Sequence, residues 1–262
     1  MSYRTEGHVN RRSTSVRPRF PVSRLHELFG HAENLLTRFY RLALAAFALP
    51  LALSPVAARG QSTLPATITD AERRQATAVR VDETIRLDGR LDEAVWRGSS
   101  ESRFIQAEPR EGQPATEETE VWVVYDESNL YVAARLHDSG EPTVNEIRKD
   151  FGDTNQDVFQ VILDTFRDRR NGYVFQTNPE GARGDRQVAN EGREINRSWD
   201  AVWRVETERI EGGWTLEMEI PFRALRFDPA NDRWGINFGR LLRRNNESSY
   251  WAPIPRAYTF NR

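Results

Sequence analysis

The 262-residue chain contains no cysteine. That excludes disulfides, thiolate metal ligands and a thiol nucleophile, and it leaves an exported protein dependent on its hydrophobic core alone. Lysine is nearly absent as well, Lys149 being the single one among 37 basic residues. The arginine bias reads as genome composition, not as a phosphate-binding signature. Formal charges almost cancel, at −2, so no overall field selects nucleic acid or an anionic membrane. G-x-S-x-G, H-E-x-x-H and phosphate-loop patterns are missing, which removes the common hydrolase and nucleotide-binding routes. Long helical patterns and internal repeats are also missing. What is present in quantity is aromatic: seven Trp, thirteen Phe and seven Tyr, bulky material for one sizeable core.

The first residues read as an address. Residues 1–41 are rich in Arg and Ser and end at Arg38 and Arg41, just before the uncharged run LALAAFALPLAL from Leu42 to Leu53. Twelve apolar residues broken by Pro50 are short of the roughly 20 a membrane-spanning helix needs. Small residues follow at Val56, Ala57 and Ala58. The expectation is a signal peptide over residues 1–58, cleaved after Ala58, with an uncleaved membrane anchor as the alternative. Residues 59–78 read as a linker, and the protein is expected to be exported, in the periplasm or at the outer membrane.

From Val79 onward short β-rich runs alternate with turn clusters, the pattern of an all-β antiparallel β-sandwich. Val79–Leu87 alternates and stops at Asp88-Gly89. Thr119–Tyr125 and Leu130–Leu136 flank Asp126-Glu127-Ser128-Asn129, a hairpin. Val158–Leu163 reads as a central strand paired with Tyr173–Thr177, and Ala201–Thr207, Trp214–Ile220 and Trp234–Leu242 complete the set. Trp214, Leu216, Met218 and Ile220 alternate with Thr215, Glu217 and Glu219, so one face of that strand is buried. Short helical turns are expected at Asp92–Arg97, Val144–Asp150 and Phe222–Leu225.

Several phrases in this body, in order and in register, resemble the family 9 carbohydrate-binding modules and the sandwich domains related to them. They are Ile85-x-Leu87-Asp88-Gly89-x-Leu91-Asp92-Glu93-x-x-Trp96, Val124-Tyr125-Asp126 with Leu130-Tyr131-Val132, Gln156-Asp157-x-Phe159, and Gly213-Trp214-x-x-Glu217-x-x-Ile220-Pro221-Phe222. Leu163-Asp164-Thr165-Phe166-x-Asp168-x-Arg170-Asn171-Gly172-Tyr173 and Asn178-Pro179-x-Gly181-Ala182 are similar to a subgroup found at the N-terminus of large exported bacterial proteins with a suspected C-terminal membrane β-barrel. The resemblance covers residues 79–262 and implies a jelly-roll-like sandwich that binds an oligo- or polysaccharide. Because the sequence stops at Asn261-Arg262, directly after a strand-like run, a truncated gene product is the expectation, with either that barrel or a catalytic domain with paired carboxylates encoded downstream.

The phrases also read as architecture. Asp88-Gly89 makes a tight turn, Asp92 caps the short helix after it, Trp96 plugs one end of the sandwich, and Tyr125 and Tyr131 are cross-strand neighbours. His137 at a strand end reads as a surface or cap residue.

Sugar recognition needs a flat aromatic against the apolar face of a pyranose and polar groups for its hydroxyls. The resemblance implies two tryptophans sandwiching the ligand. Where the first belongs, just before Gln156-Asp157, only Phe151 is aromatic. For the second, Trp251, Tyr250 and Tyr258 are the candidates, Trp251 leading, and Trp199 beside Asp200 and Trp203 is a further one. The resemblance also implies a structural calcium, for which Asp150, Asp153, Asn155 and Asp157 cluster in one loop. No catalytic residue is assigned: an acid-rich sandwich offers carboxylate pairs by accident, and of the conceivable ones, Asp157 with Asp164 or Glu217, the first straddles a strand of odd spacing and should point to opposite faces. A haem-binding sandwich needs an axial ligand, and Met218 faces the core. The reading carries a carbohydrate-binding module first, a docking domain for an outer-membrane β-barrel second, and a hydrolase of O-glycosyl bonds third.

Overall fold

The computed structural model describes residues 73–152 and 155–256. The leader expected over residues 1–58 lies outside them, as do Asp153 and Tyr258. Among the described residues twelve strands form two sheets. Five strands build the first: β1 (Val79–Arg80), β3 (Thr119–Tyr125), β4 (Asn129–His137), β10 (Gly213–Pro221) and β9 (Arg204–Ile210), in that order across the sheet. The second has seven, in the order β2 (Ile105–Glu108), β12 (Glu247–Tyr250), β11 (Gly235–Leu242), β5 (Val158–Asp164), β6 (Gly172–Thr177), β7 (Arg183–Ala189) and β8 (Glu194–Asn196). Every pairing is antiparallel except the two-residue contact of β1 with β3. The fold is an all-β sandwich, as its alternating pattern requires.

The core lies between the sheets. Val121, Val132, Ala134, Leu216, Met218 and Ile220 from the five-stranded sheet meet Phe159, Val161, Phe175 and Phe238 from the seven-stranded one. At this level the hairpin of β3 and β4, the β5–β6 pair and the apolar face of β10 stand where the pattern puts them.

Other expectations are corrected. The run Val79–Leu87 is a strand only at Val79–Arg80, because the chain then leaves the sheet edge and folds over its outer face. There Ile85, Leu91, Val95 and Trp96 pack on Trp122, Val124, Tyr131 and Ala133, so Trp96 covers a sheet and does not plug the end of the sandwich. Asp92 caps nothing: the 3₁₀ turn Ala94–Arg97 follows Glu93 and has no side-chain cap. Tyr125 faces Leu130 and Tyr131 faces Val124, which sends the two tyrosines to opposite faces. Val144–Asp150 forms no helix, since side chains and not a backbone ladder satisfy it. The strand expected at Ala201 begins at Arg204 because Asp185 captures the Ala201 N–H (3.1 Å) and the Trp203 indole (2.9 Å).

Covering the five-stranded sheet buries both faces of β10. Glu217, on the polar side of the alternation, is 1% exposed. Its Oε2 accepts the N–H groups of Asp88 and Gly89, each at 3.0 Å, and its Oε1 accepts the Trp96 indole N–H at 2.9 Å. Gly89 is required at this turn, having φ +82° and a Cβ position 2.6 Å from the Thr207 carbonyl carbon.

Candidate ligand-binding face

The inner side of the seven-stranded sheet is core, and the middle of its outer side is covered as well, Tyr250 and Gln160 being 1% and Gln176 3% exposed. Alternation delivers five residues side by side there: Tyr250 on β12, Gly239 on β11, Gln160 on β5, Gln176 on β6 and Gly184 on β7. A Cβ at Gly239 would stand 3.0 Å from the Tyr250 ring and 3.3 Å from Gln160 Oε1, and one at Gly184 would stand 2.9 Å from Gln176 Cγ and Nε2. The glycines therefore let the ring and the amides lie down along the sheet. Gln160 Nε2 donates to Gln176 Oε1 at 3.3 Å, and Gln176 Nε2 donates to the Phe151 carbonyl at 3.3 Å.

The Phe151 ring lies on the same side, packed on Val158, Ala182 and Leu241. Its loop is held by two amides from separate sequence phrases. Gln156 Oε1 accepts the N–H groups of Asn145 (3.2 Å) and Glu146 (3.3 Å), and Asn178 Nδ2 donates to Gln156 Oε1 (3.0 Å) and to the Glu146 carbonyl (2.7 Å). A cleft of about 440 Å³ opens in this loop beside Asn145, Ile147 and Gln156. Lys149 anchors it from the other end through Asp200 (2.8 Å) and Asp150 (3.4 Å), with buried Asp185 at 3.7 Å.

Of the aromatics expected to bind, the structure places Tyr250 and Phe151 on this outer face. Trp251 does not share it: just past the end of β12 it points inward, its ring 5.6 Å from Phe238, and it is 2% exposed. Trp199 is half-buried against Tyr173 and Phe175, with ring centroids 4.9 and 5.9 Å away, so it too belongs to the core side. Gln160 and Gln176 were not singled out from sequence. The signal for them is a glutamine interrupting each of two otherwise apolar strand runs, Val158–Leu163 and Tyr173–Thr177.

The described members of the acidic loop are each engaged by groups of the protein itself. Asp157 Oδ1 and Oδ2 are taken by the N–H groups of Arg243 (2.6 Å) and Thr143 (3.0 Å), and burial pushes its pKa up. The Asn155 carbonyl accepts Asn145 Nδ2, and Asp150 pairs with Lys149. Among the described residues no three His, Asp or Glu side chains gather around a common point. The carboxylate pairs fail geometrically as well. Asp157 immediately precedes β5 and Asp164 ends it, ~20 Å apart at about 3.3 Å per residue, far beyond the ~5–9.5 Å of glycosidase pairs. Glu217 is on the other sheet, under its cover. His137 Nε2 lies 3.1 Å from Glu120 Oε2 at a strand end.

A second concavity of about 600 Å³ runs along edge strand β9 beside Glu180, Arg183, Arg204, Glu206 and Arg209, with no aromatic in its lining. Arg204 pairs with Glu219 and Arg209 with Glu180 (2.8 Å). It has nothing to stack on a sugar.

Two sheets packed face to face, one carrying a buried aromatic and amide row on its outer side, define an all-β sandwich. The carbohydrate family 9 binding domain-like model matches residues 87–246, and the chain belongs to that family. Among solved structures, a Bacteroides uniformis protein named for carbohydrate binding shares the fold at 10% identity and a TM-score of 0.53, over 68% of this chain and 88% of that one. Two family 9 modules from Caldicellulosiruptor kristjanssonii, solved with cellotriose and with glucose, are each 16% identical. They have TM-scores of 0.45 and 0.46 over 66% and 70% of this chain and 83% and 93% of theirs. No curated protein matches.

Proposed function

We propose that the chain is a non-catalytic carbohydrate-binding domain whose ligand lies on the outer face of the seven-stranded sheet. The observation that carries this reading is the row Tyr250–Gly239–Gln160–Gln176–Gly184. The row is closed in this structure, its two amides bonded to each other and to the Phe151 carbonyl, so the Phe151 loop must part before a pyranose can meet the Tyr250 ring and the amides. Phe151 extends the apolar part of the face from the loop. Membership of the family supports the same ligand class, and the glucose and cellotriose bound by its solved members set the first probes. Calorimetric titration of the full chain with a saccharide panel including both, with and without calcium, tests the proposal. Heat that disappears in Gln160→Ala and Gln176→Ala supports it, and heat that is absent across the panel, or unchanged in both variants, contradicts it.

Export belongs to the same proposal, supported by the leader-like run Leu42–Leu53 after Arg38 and Arg41. A mature N-terminus near Arg59 by mass spectrometry is the expected result. Docking against a membrane β-barrel is the second reading. Its support is that the face is closed, with Tyr250 and Gln160 each 1% exposed and Phe151 in the place expected for a tryptophan.

A further inference from the structure

Among the described residues four side-chain polar atoms are buried without a hydrogen-bond partner: Glu93 Oε2, Arg135 Nε, Asp138 Oδ2 and Ser248 Oγ. The first three are parts of ionised groups on the five-stranded sheet, its cover and the turn after β4, and each group has another outlet. Glu93 and Arg135 are only half-buried, Arg135 directly across from Glu120, and Asp138 pairs with Arg244 through its other oxygen (2.5 Å). Ser248 has no such outlet. It is 5% exposed, and its one side-chain polar atom is the buried one.

Its place is on the outer side of the seven-stranded sheet. Ser248 precedes Tyr250 by two residues on β12, so the two side chains share a side of the strand, about 7 Å apart along it. Across from it on β11 is Leu241, which with Val158 and Ala182 carries the Phe151 ring. Across from it on β2 is Glu108, whose carboxylate is turned to Arg256 Nε at 3.1 Å. The register shift between Ser248 and Ser249 sets them against Glu108 and Gln106, so the extra residue lies in β2 and the alternation of β12 against β11 stays regular. A hydroxyl is a donor and an acceptor at once, and this one is held beside the patch under Phe151 with neither capacity used. In the closed protein it is desolvated without return.

We propose that Ser248 Oγ is a further saccharide contact, which hydrogen-bonds one sugar hydroxyl once the Phe151 loop parts and selects against sugars that lack that hydroxyl. This rests on the outer-face carbohydrate reading and adds to it a residue that sets specificity. Parting of the loop breaks the bond from Gln176 to the Phe151 carbonyl and takes the Phe151 ring off Leu241, the cross-strand neighbour of Ser248. The two amides, the Tyr250 ring and the serine hydroxyl then become available on one side of the sheet. A neutral group that both donates and accepts fits a sugar hydroxyl, and a site built around such a bond discriminates against the analogue without it.

The test is calorimetry on the full chain with glucose and its monodeoxy derivatives, using the unaltered protein, Ser248→Ala and, as a control, Ser249→Ala, whose position across from Arg240 faces the core side. The expected result is one monodeoxy glucose that the unaltered protein binds about three- to tenfold more weakly than glucose. Ser248→Ala should lose about the same factor for glucose and bind the two sugars equally, a coupling that a purely structural role would not produce. Ser249→Ala should bind as the unaltered protein does. The urea midpoint of Ser248→Ala should match or exceed that of the unaltered protein, because the deleted hydroxyl has no partner in the closed state. Unchanged glucose affinity in Ser248→Ala, discrimination among the deoxy sugars that survives in it, or a lowered urea midpoint each overturns the proposal. The outer-face reading then still stands if Gln160→Ala and Gln176→Ala abolish binding. Failure of the unaltered protein to bind glucose overturns the proposal as well, and failure across a wider saccharide panel takes the reading with it.

Discussion

Tyr250 and Trp251 are adjacent in sequence and face opposite sides of the same sheet, the tyrosine lying over Gly239 and the tryptophan against Phe238 in the core. Their substitutions should therefore separate binding from folding. Trp251→Ala is expected to cost about 3–5 kcal/mol of stability, as large aromatic deletions in cores do. Tyr250→Phe keeps the ring and its packing, so its expected cost is about 1 kcal/mol, with the loss falling on saccharide affinity instead. Urea denaturation and calorimetry on both variants check the split.

The glycines should also divide by role. Gly213 has φ +149° and a Cβ position 2.0 Å from the Leu136 carbonyl oxygen, so Gly213→Ala must break the β4–β10 pairing, at a cost of about 3 kcal/mol or more. Gly239→Ala meets only the movable Tyr250 ring and the Gln160 amide. It is expected to weaken ligand binding about tenfold while costing about 1 kcal/mol of stability. Equal stability losses in the two variants would contradict this assignment.

Asp185 fixes the crossover that carries Trp199 and Trp203. Its carboxylate is buried and accepts from the Ala201 N–H and the Trp203 indole. Asp185→Ala leaves both donors buried without an acceptor, an expected loss of about 3 kcal/mol. Hydrogen exchange should show the loss concentrated at residues 199–203.

Stability should fall between acid and neutral pH for a reason that can be assigned. The Glu217 carboxyl is raised in the folded state from 4.5 to about 7. The folded protein thus holds a proton that the unfolded chain has released. This contribution is complete below the unfolded value and is lost as pH rises to about 7, amounting to about 2–3 kcal/mol. Glu217→Gln should flatten that part of the profile. Asp157, raised by burial as well, leaves a residual slope of the same sign.

The parts of this fold that were readable from sequence are those where one face is wet and the other dry. The β3–β4 hairpin and the apolar side of β10 follow from period-two alternation alone. Strands β7 and β12, with the sequences RGDRQVA and ESSY, were not seen because they carry few apolar residues and are ordered by their neighbours' ladders. Glu217 reads as a solvent-facing alternate, and only the chain crossing over it from Ile85 to Trp96 makes it buried. The candidate site shows the same division. Aromatic content pointed to Tyr250, Trp251 and Phe151, but which of them faces outward depends on register, and register also selects Gln160 and Gln176.

The account rests on saccharide binding at the amide row. Titrating cello-oligosaccharides into the full chain and into Gln160→Ala and Gln176→Ala, with circular dichroism confirming the fold of each, addresses it most directly. The account predicts measurable heat for the unaltered protein and at least about a tenfold loss of affinity in each variant. Binding of unchanged strength in both variants, or no binding by the unaltered protein, would contradict it.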